Sequence, residues 1–208
     1  MNLKSKKLYL ILDTTYVSPD KMIDTTKECC EAGVDIVQFR DKILSDKEKF
    51  ILAKKLRELI GQYNIPFIIN DRLDIALAVQ ADGIHLGQDD LPIDKARAII
   101  RNTGQKLIIG ASTHSFDQAV DTVRKYEPDY IAIGPLFSTP TKPDYIAVGL
   151  DTTRQVVDNT KIPLFGIGGV KTDNLDLIRQ TGLKQIAVVS AILQSNNRKK
   201  TIAIFKKF

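Results

Sequence analysis

The chain has 208 residues and a formal net charge of +5, with 43% apolar and 26% charged residues. These values are ordinary for a globular protein and exclude a membrane protein, because no apolar run approaches the roughly 18 residues of a transmembrane helix. The lysines are scattered and no tract interleaves them with aromatics, so the charge favours phosphorylated small molecules over nucleic acid. We expect one soluble domain over residues 1–208.

The N-terminus and the cysteines indicate the compartment. The apolar run from Leu8 to Leu12 is too short for the core of a signal peptide, and Asp13 ends it. Cys29 and Cys30 are the only cysteines, and as neighbours on one predicted helix they point to different faces. We therefore expect no disulfide framework and a cytoplasmic protein.

Short β-rich runs alternate with helical stretches eight times along the chain, which predicts parallel strands joined by crossover helices. The predicted strands are Leu8 to Asp13, Ile36 to Arg40, Phe67 to Asn70, Gly83 to Leu86, Leu107 to Ala111, Tyr130 to Gly134, Leu164 to Ile167 and Gln185 to Val189.

The clearest helix runs from Ser45 to Tyr63, where apolar residues recur at helical spacing and Ser45 with Glu48 resembles a capping box. Pro92, Ser115 and Asp173 mark the expected starts of further helices.

Eight strand-helix units in about 200 residues predict a small (β/α)₈ barrel of the α/β class. An open doubly wound sheet usually has fewer strands and an early glycine-rich turn, which this chain does not have. Its glycine-rich segment is Gly166 to Gly169 at the seventh strand, where barrels commonly bind phosphate.

Three polar side chains alternate at the end of the second strand. The period of two along an extended segment should aim Gln38, Arg40 and Lys42 the same way, towards the barrel mouth. Two cations there would suit a diphosphate. A barrel-interior salt bridge to Asp41 or Asp71 explains the triplet equally well.

Carboxylates end the third and fourth strands. Asp71 and Asp90 would lie on neighbouring strands of a barrel, and a pair of carboxylates with substrate phosphates is a typical Mg²⁺ site. His85 and His114 are too few and too far apart for a strong zinc signature. Capping of the following helices is the alternative for both aspartates.

The remaining polar residues at predicted strand ends have structural explanations as well. The segment Ser138 to Lys142 brings hydroxyls and a lysine to the rim, or is a turn stiffened by proline. Gly168 and Gly169 could hold a phosphate with their amides or form a tight turn. His114 is either an acid or base or a residue that orients a loop. Tyr9 either packs on a planar ligand or belongs to the core.

Seven motifs follow one another along the chain: Gln38-x-Arg40-x-Lys42, Asn70-Asp71, His85 to Asp90, Ser112 to Ser115, Thr139 to Lys142, Gly166 to Gly169 and Val189 to Ala191. In this order and at these spacings they resemble the thiamine-phosphate synthase family, and the resemblance covers Tyr9 to Ile192. The resemblance implies a barrel transferase that joins hydroxymethylpyrimidine diphosphate to a thiazole phosphate or its carboxylate, giving thiamine phosphate and diphosphate.

The resemblance also implies residue roles. The pyrimidine diphosphate goes to Gln38, Arg40, Lys42, Asn70, Ser112 and Lys142. Mg²⁺ goes to Asp71 and Asp90. The thiazole phosphate goes to Thr139, Thr141, Gly169, Val189 and Ser190. Arg40, Lys42, Ser112 and Lys142 are the expected catalytic residues.

This set suits a dissociative displacement, because it supplies charge for a departing diphosphate and contains no evident nucleophile. Two other functions stay open. A thiazole tautomerase of the same fold would use a histidine like His114 but needs no diphosphate site, and a noncatalytic sensor would bind thiamine phosphates without turnover. The oligomeric state is not determined by the sequence.

Overall fold

The computed structural model describes residues 2–139 and 146–208. Eight parallel strands form a closed barrel in chain order, each hydrogen-bonded to its neighbours, with β8 closing on β1. The strands are β1 Leu8–Asp13, β2 Ile36–Arg40, β3 Phe67–Asn70, β4 Gly83–Leu86, β5 Ile108–Thr113, β6 Tyr130–Ile133, β7 Leu164–Ile167 and β8 Gln185–Val188. The predicted (β/α)₈ barrel is confirmed.

Helices follow the strands and cover the outside of the barrel. They are α1 Pro19–Glu31, α2 Asp46–Gly61, α3 Leu73–Ala78, α4 Ile93–Thr103, α5 Phe116–Tyr126, α6 Leu150–Asn159, α7 Leu175–Arg179, α8 Ser190–Leu193 and α9 Arg198–Phe205. A short 3₁₀ turn, Leu3–Ser5, precedes β1. None of the helices in the described ranges is both long and apolar enough to span a bilayer.

The predicted boundaries agree with the structure at most strands and helices, and they differ where contacts with other parts of the fold determine the end of an element. The capping box of Ser45 and Glu48 opens α2, and the Ser115 side chain accepts a hydrogen bond at the start of α5. Strand β5 extends two residues beyond the predicted end because Thr113 pairs with Ile133 of β6. The prediction that a helix starts at Asp173 is wrong, since Asn174 occupies the N-cap of α7.

The apolar residues form two cores. A larger one lies between the strands and the surrounding helices. A smaller one fills the barrel interior and includes Tyr9, Ile68, Tyr130 and Phe165. The interior aromatic rings meet edge to face, with the Tyr9 and Phe165 centroids 5.3 Å apart. Packed side chains therefore close the barrel below its mouth.

One hydrogen-bonding arrangement recurs around the N-terminal end of the barrel. A polar side chain at the start of each even-numbered strand accepts a backbone N–H from the preceding odd-numbered strand. The pairs are Asp35 with Leu8, Asp82 with Phe67, Asp129 with Ile109 and Gln185 with Leu164, at 2.9, 2.8, 2.7 and 3.2 Å. Backbone donors that the ladder would leave unpaired at this rim are thus satisfied.

Candidate active site

A cavity of about 830 Å³, counting its open mouth, lies at the C-terminal ends of the strands. This is the end at which barrel enzymes carry their active sites. Its lining includes these predicted substrate-binding residues: Gln38, Arg40, Asn70, Ser112, Thr139, Gly169, Val189 and Ser190. Residues from distant parts of the chain therefore share one cavity, as the strand-end clusters predict.

Among the described residues, the predicted site residues outside this lining are Lys42, Asp71 and Asp90. Lys42 and Asp71 form an ion pair beside the cavity rather than in its lining, with Nζ 2.5 Å from Oδ2. Asp90 contacts Asp71. Thr141 and Lys142 lie outside the described residues, so their predicted roles stay predictions.

The three side chains of the basic triplet have different partners in the structure. Gln38 is buried and its amide donates to the Tyr9 hydroxyl at 2.8 Å. Arg40 donates to Asp13 at 2.5 Å. Lys42 lies beyond the strand and pairs with Asp71, the partner that one salt-bridge alternative predicts, but the pair is exposed and does not lie in the barrel interior. The other alternative is wrong, because the ion pair of Asp41 is with Lys49, 3.2 Å away.

Asp71 and Asp90 do not cap helices. Arg72 occupies the N-cap of α3 and Pro92 that of α4, so the capping alternative is wrong. Asp71 instead adopts a left-handed backbone conformation, with φ of 62°, and its carboxyl group lies beside that of Asp90. The Asp90 Oδ2 also accepts the Gly87 N–H at 2.6 Å.

The two carboxyl groups perturb each other. Burial and then the Asp71 side chain raise the pKa of Asp90 above its ordinary value. Burial acts to raise the pKa of Asp71 as well, but hydrogen bonds from Asp90 and Lys42 outweigh it and hold that pKa low. Two carboxyl groups in contact need a shared proton or a cation between them. The pair is therefore suited to a cation with oxygen ligands.

A buried chain of polar side chains crosses the barrel below the cavity. It runs from Gln38 through Tyr9, Tyr130 and His85 to Ser112, with successive contacts of 2.8, 2.8, 2.9 and 2.9 Å. Burial raises the pKa of both tyrosine hydroxyls, which keeps them protonated. Tyr9 is thus a core tyrosine with a satisfied hydroxyl. The sequence reasoning missed the chain, although its members alternate with apolar residues on the strands.

His114 orients a loop. Its Nδ1 lies 2.6 Å from the carbonyl oxygen of Gly134, which can only accept, so Nδ1 carries a proton. The His114 backbone N–H donates to Gln118 at 2.6 Å. The ring also lines the cavity. These contacts favour the loop-orienting interpretation over an acid or base.

The glycine turn after β7 needs glycine for steric reasons. Gly168 and Gly169 have φ of 91° and 67°, which favours glycine. A Cβ on Gly169 would lie 2.7 Å from the Phe137 Cβ, and one on Gly168 would lie 2.4 Å from the Pro135 Cβ. The tight-turn interpretation is confirmed, and the turn places Gly169 in the cavity wall next to Ser190.

Comparisons with known proteins agree with this geometry. Residues 8–192 match the family model described as thiamine monophosphate synthase. The chain is 38% identical to the thiamine-phosphate synthase of Fusobacterium nucleatum over the whole of both chains. It is also 38% identical to that of Pyrococcus furiosus, over 100% of this chain and 97% of the relative.

Solved structures give the same result. The thiamine phosphate pyrophosphorylase from Pyrococcus furiosus superposes with a TM-score of 0.87 at 35% identity, covering 99% of this chain and 96% of that one. The (S)-3-O-geranylgeranylglyceryl phosphate synthase from Thermoplasma acidophilum superposes with a TM-score of 0.72 at 14% identity, covering 97% of this chain and 92% of that one. The second likeness shows the fold alone.

Proposed function

The chain belongs to the thiamine monophosphate synthase family of transferases, and we propose that it joins hydroxymethylpyrimidine diphosphate to a thiazole phosphate, releasing diphosphate. One observation carries the proposal at this site. A single cavity is lined by Arg40, Asn70 and Ser112 on one side and by the Gly169 turn and Ser190 on the other. Two anionic substrates can therefore meet above the barrel interior.

The pyrimidine diphosphate would occupy the side formed by β2, β3 and β5. Arg40 offers guanidinium donors to the diphosphate oxygens, and Asn70 offers an amide. Lys42 lies next to this side, and Lys142 is the second proposed lysine. The Ser112 hydroxyl lies 2.9 Å from His85 Nε2, and with that nitrogen protonated it accepts from the ring and can donate its own proton to the pyrimidine.

Asp71 and Asp90 would hold Mg²⁺. Their adjacent carboxyl groups fit an oxygen-ligated cation, since a cation between two like charges in contact stabilises them. In the described part of the chain no three His, Cys, Asp or Glu side chains converge, so diphosphate oxygens and water would complete the coordination. When bound, the ion would neutralise negative charge on the departing diphosphate.

The chemistry proposed is a dissociative displacement. Arg40, Lys42 and Lys142 stabilise the negative charge that develops as the C–O bond breaks, and the pyrimidine amino group delocalises the positive charge left on carbon. The thiazole nitrogen then attacks that carbon. Cys29 and Cys30 are no candidates for a covalent intermediate, because both are buried and burial raises the pKa of each thiol to about 12.

The thiazole phosphate would lie on the opposite side of the cavity. Thr139, Gly169, Val189 and Ser190 line that wall, and Thr141 is the remaining proposed ligand. Holding the nitrogen near the reacting carbon replaces a bimolecular encounter with an oriented one, which is the main rate contribution available on this side.

The test is a rapid-mixing assay of diphosphate release with both substrates, with and without Mg²⁺. We expect release that requires both substrates and the metal. A sensor would bind the substrates without releasing diphosphate, and that result would contradict the proposal. His114→Asn, assayed for synthesis and for thiazole tautomerisation, separates the remaining alternative, because loss of tautomerisation alone would indicate a second activity.

A further inference from the structure

Asp13 is the last residue of β1, and it is wholly buried. It pairs with Arg40 in the register of β1 and β2, so the two side chains point to the same side of the sheet. Both line the cavity. The sequence motifs assign no role to Asp13, although a carboxylate at a strand end follows the same pattern as the other clusters.

Each oxygen of this carboxylate has a defined partner. Oδ1 accepts the Thr15 backbone N–H at 2.9 Å, and Oδ2 accepts from Arg40 Nη1 at 2.5 Å. The turn after β1 therefore fixes the carboxylate, and the carboxylate fixes one nitrogen of the guanidinium. An arginine has five N–H donors in a rigid fork, so the rest of the fork stays available to a ligand.

The other cation of the triplet is held differently. The Lys42 side chain is 54% exposed, and its partner Asp71 is a proposed metal ligand, whereas the Arg40 and Asp13 side chains are 20% and 1% exposed. A buried, hydrogen-bonded counterion constrains its partner far more than an exposed ion pair does. Of the two cations, Arg40 is therefore the one whose side-chain orientation is determined by the fold.

We propose that Asp13 is a positioning residue that aims the Arg40 guanidinium at the diphosphate of the pyrimidine substrate. The inference rests on the proposed function. Two effects of Asp13 oppose each other: its negative charge repels an anionic ligand, and its hydrogen bond orients the arginine that binds it. A substitution that removes the charge of Asp13 but keeps its shape therefore distinguishes the two effects. Loss of the repulsion would strengthen binding of the anionic ligand, whereas loss of the orienting hydrogen bond would weaken it.

The substitution is Asp13→Asn, and the chain offers a matched control. Asp82 also accepts one backbone N–H, from Phe67 at 2.8 Å, and one arginine Nη1, from Arg57 at 3.0 Å, but it precedes β4 at the opposite end of the barrel. We expect Asp13→Asn to lower kcat/KM for the pyrimidine diphosphate by about 10- to 100-fold, because a small misplacement of a charge donor is costly. Asp82→Asn should leave it unchanged.

A double-mutant cycle with Arg40→Ala separates positioning from a general structural role. If Asp13 acts through Arg40, Asp13→Asn should change kcat/KM by less than about twofold in the Arg40→Ala background. Equal effects of Asp13→Asn in both backgrounds would overturn the proposal. Tighter binding of the diphosphate substrate by Asp13→Asn would overturn it as well, since charge would then dominate.

Calorimetric titration with inorganic pyrophosphate and Mg²⁺ gives a readout that does not depend on turnover. Binding weakened by Asp13→Asn but not by Asp82→Asn supports the inference even if the wild-type chain makes no thiamine phosphate, a result that would overturn only the proposed function. Should Asp13→Asn not fold, Asp13→Glu keeps the charge and displaces it by one methylene. Wild-type pyrophosphate affinity in Asp13→Glu would overturn the proposal.

Discussion

The phenol oxygens of Tyr9 and Tyr130 lie 2.8 Å apart inside the barrel, 121 positions apart in sequence. Because the Tyr9 oxygen accepts from Gln38, the Tyr9 proton is satisfied only by donation to Tyr130. Tyr130 then donates to His85 Nδ1, and His85 Nε2 donates to Ser112. The contact therefore sets the direction of the whole chain and leaves the Ser112 proton for the cavity.

Tyr130→Phe should break this chain at its centre. The change removes the acceptor of the buried Tyr9 hydroxyl, which costs about 1–3 kcal/mol of unfolding free energy for a buried polar group. We also expect a lower kcat/KM for the pyrimidine diphosphate, with the KM for the thiazole phosphate unchanged. Denaturant unfolding and steady-state kinetics measure the two effects.

Tyr63→Phe is the control for Tyr130→Phe. The Tyr63 hydroxyl makes one long, exposed contact with Glu31 at 3.4 Å, so its removal should change unfolding by less than about 0.5 kcal/mol. Equal losses of stability in the two variants would show that the buried hydrogen-bonded chain contributes no more to the free energy of unfolding than the exposed Tyr63 hydroxyl does.

Lys142→Ala tests the lysine proposed to act on the leaving group. If the ammonium stabilises charge that develops only in the transition state, kcat should fall by roughly 10²-fold or more while substrate binding changes less. Single-turnover kinetics would separate the effect on the chemical step from the effect on substrate binding. Lys54→Ala, on the exposed surface of α2, is the matched charge removal and should have no effect. Unaltered turnover in Lys142→Ala would remove this lysine from the mechanism.

Asp90→Asn should stabilise the metal-free protein. Burial and then Asp71 raise the pKa of Asp90, so its contribution favours folding at low pH and is lost as the pH rises through that pKa. In mildly alkaline buffer with a chelator, the amide should therefore add about 0.5–2 kcal/mol, or roughly 2–4 °C in Tm for each kcal/mol.

Two further measurements check the sign for Asp90→Asn. The difference in Tm should shrink as the pH falls and the wild-type carboxyl becomes protonated. Added Mg²⁺ should raise the Tm of the wild type more than that of the variant, because a ligand stabilises only the state that binds it. A lower Tm for Asp90→Asn in the chelator would contradict the assignment of repulsion to this pair.

Asp35→Ala tests the hydrogen-bonding arrangement at the N-terminal end of the barrel. The Asp35 carboxylate accepts the Lys7 and Leu8 N–H groups at 3.0 and 2.9 Å and pairs with Lys206, just after α9, at 2.6 Å. Its loss should cost about 1.5–3 kcal/mol, the range for hydrogen bonds to a charged group, without changing kcat. Urea unfolding monitored by circular dichroism provides the measurement.

Asp176→Ala is the control at the surface. The Asp176 side chain is 87% exposed in its pair with Arg179, and exposed pairs contribute about 0–1 kcal/mol. If Asp35→Ala were as mild as this control, the rim contacts would not contribute to closing the barrel.

The strands could be predicted almost to the residue because each is a short apolar run bounded by polar residues, and that pattern depends on local sequence alone. Strand β5 was predicted too short, since its last residues are held by β6 rather than by their own apolar character. Asp173 was misplaced as a helix start for a related reason: Asn174 braces the preceding turn by accepting from Lys171 and donating to Gly169.

The sequence by itself determined the barrel and the rim at which the polar residues collect, because strand period and chain order are local properties that repeat eight times. Only the tertiary structure decided which side chain meets which. Asp13 with Arg40, Lys42 with Asp71 and Tyr9 with Tyr130 are contacts between residues 27, 29 and 121 positions apart in the chain. Such pairs depend on how the barrel arranges its strands and on the need to satisfy buried polar groups, and residue spacing offers Asp71 only as one of two salt-bridge alternatives.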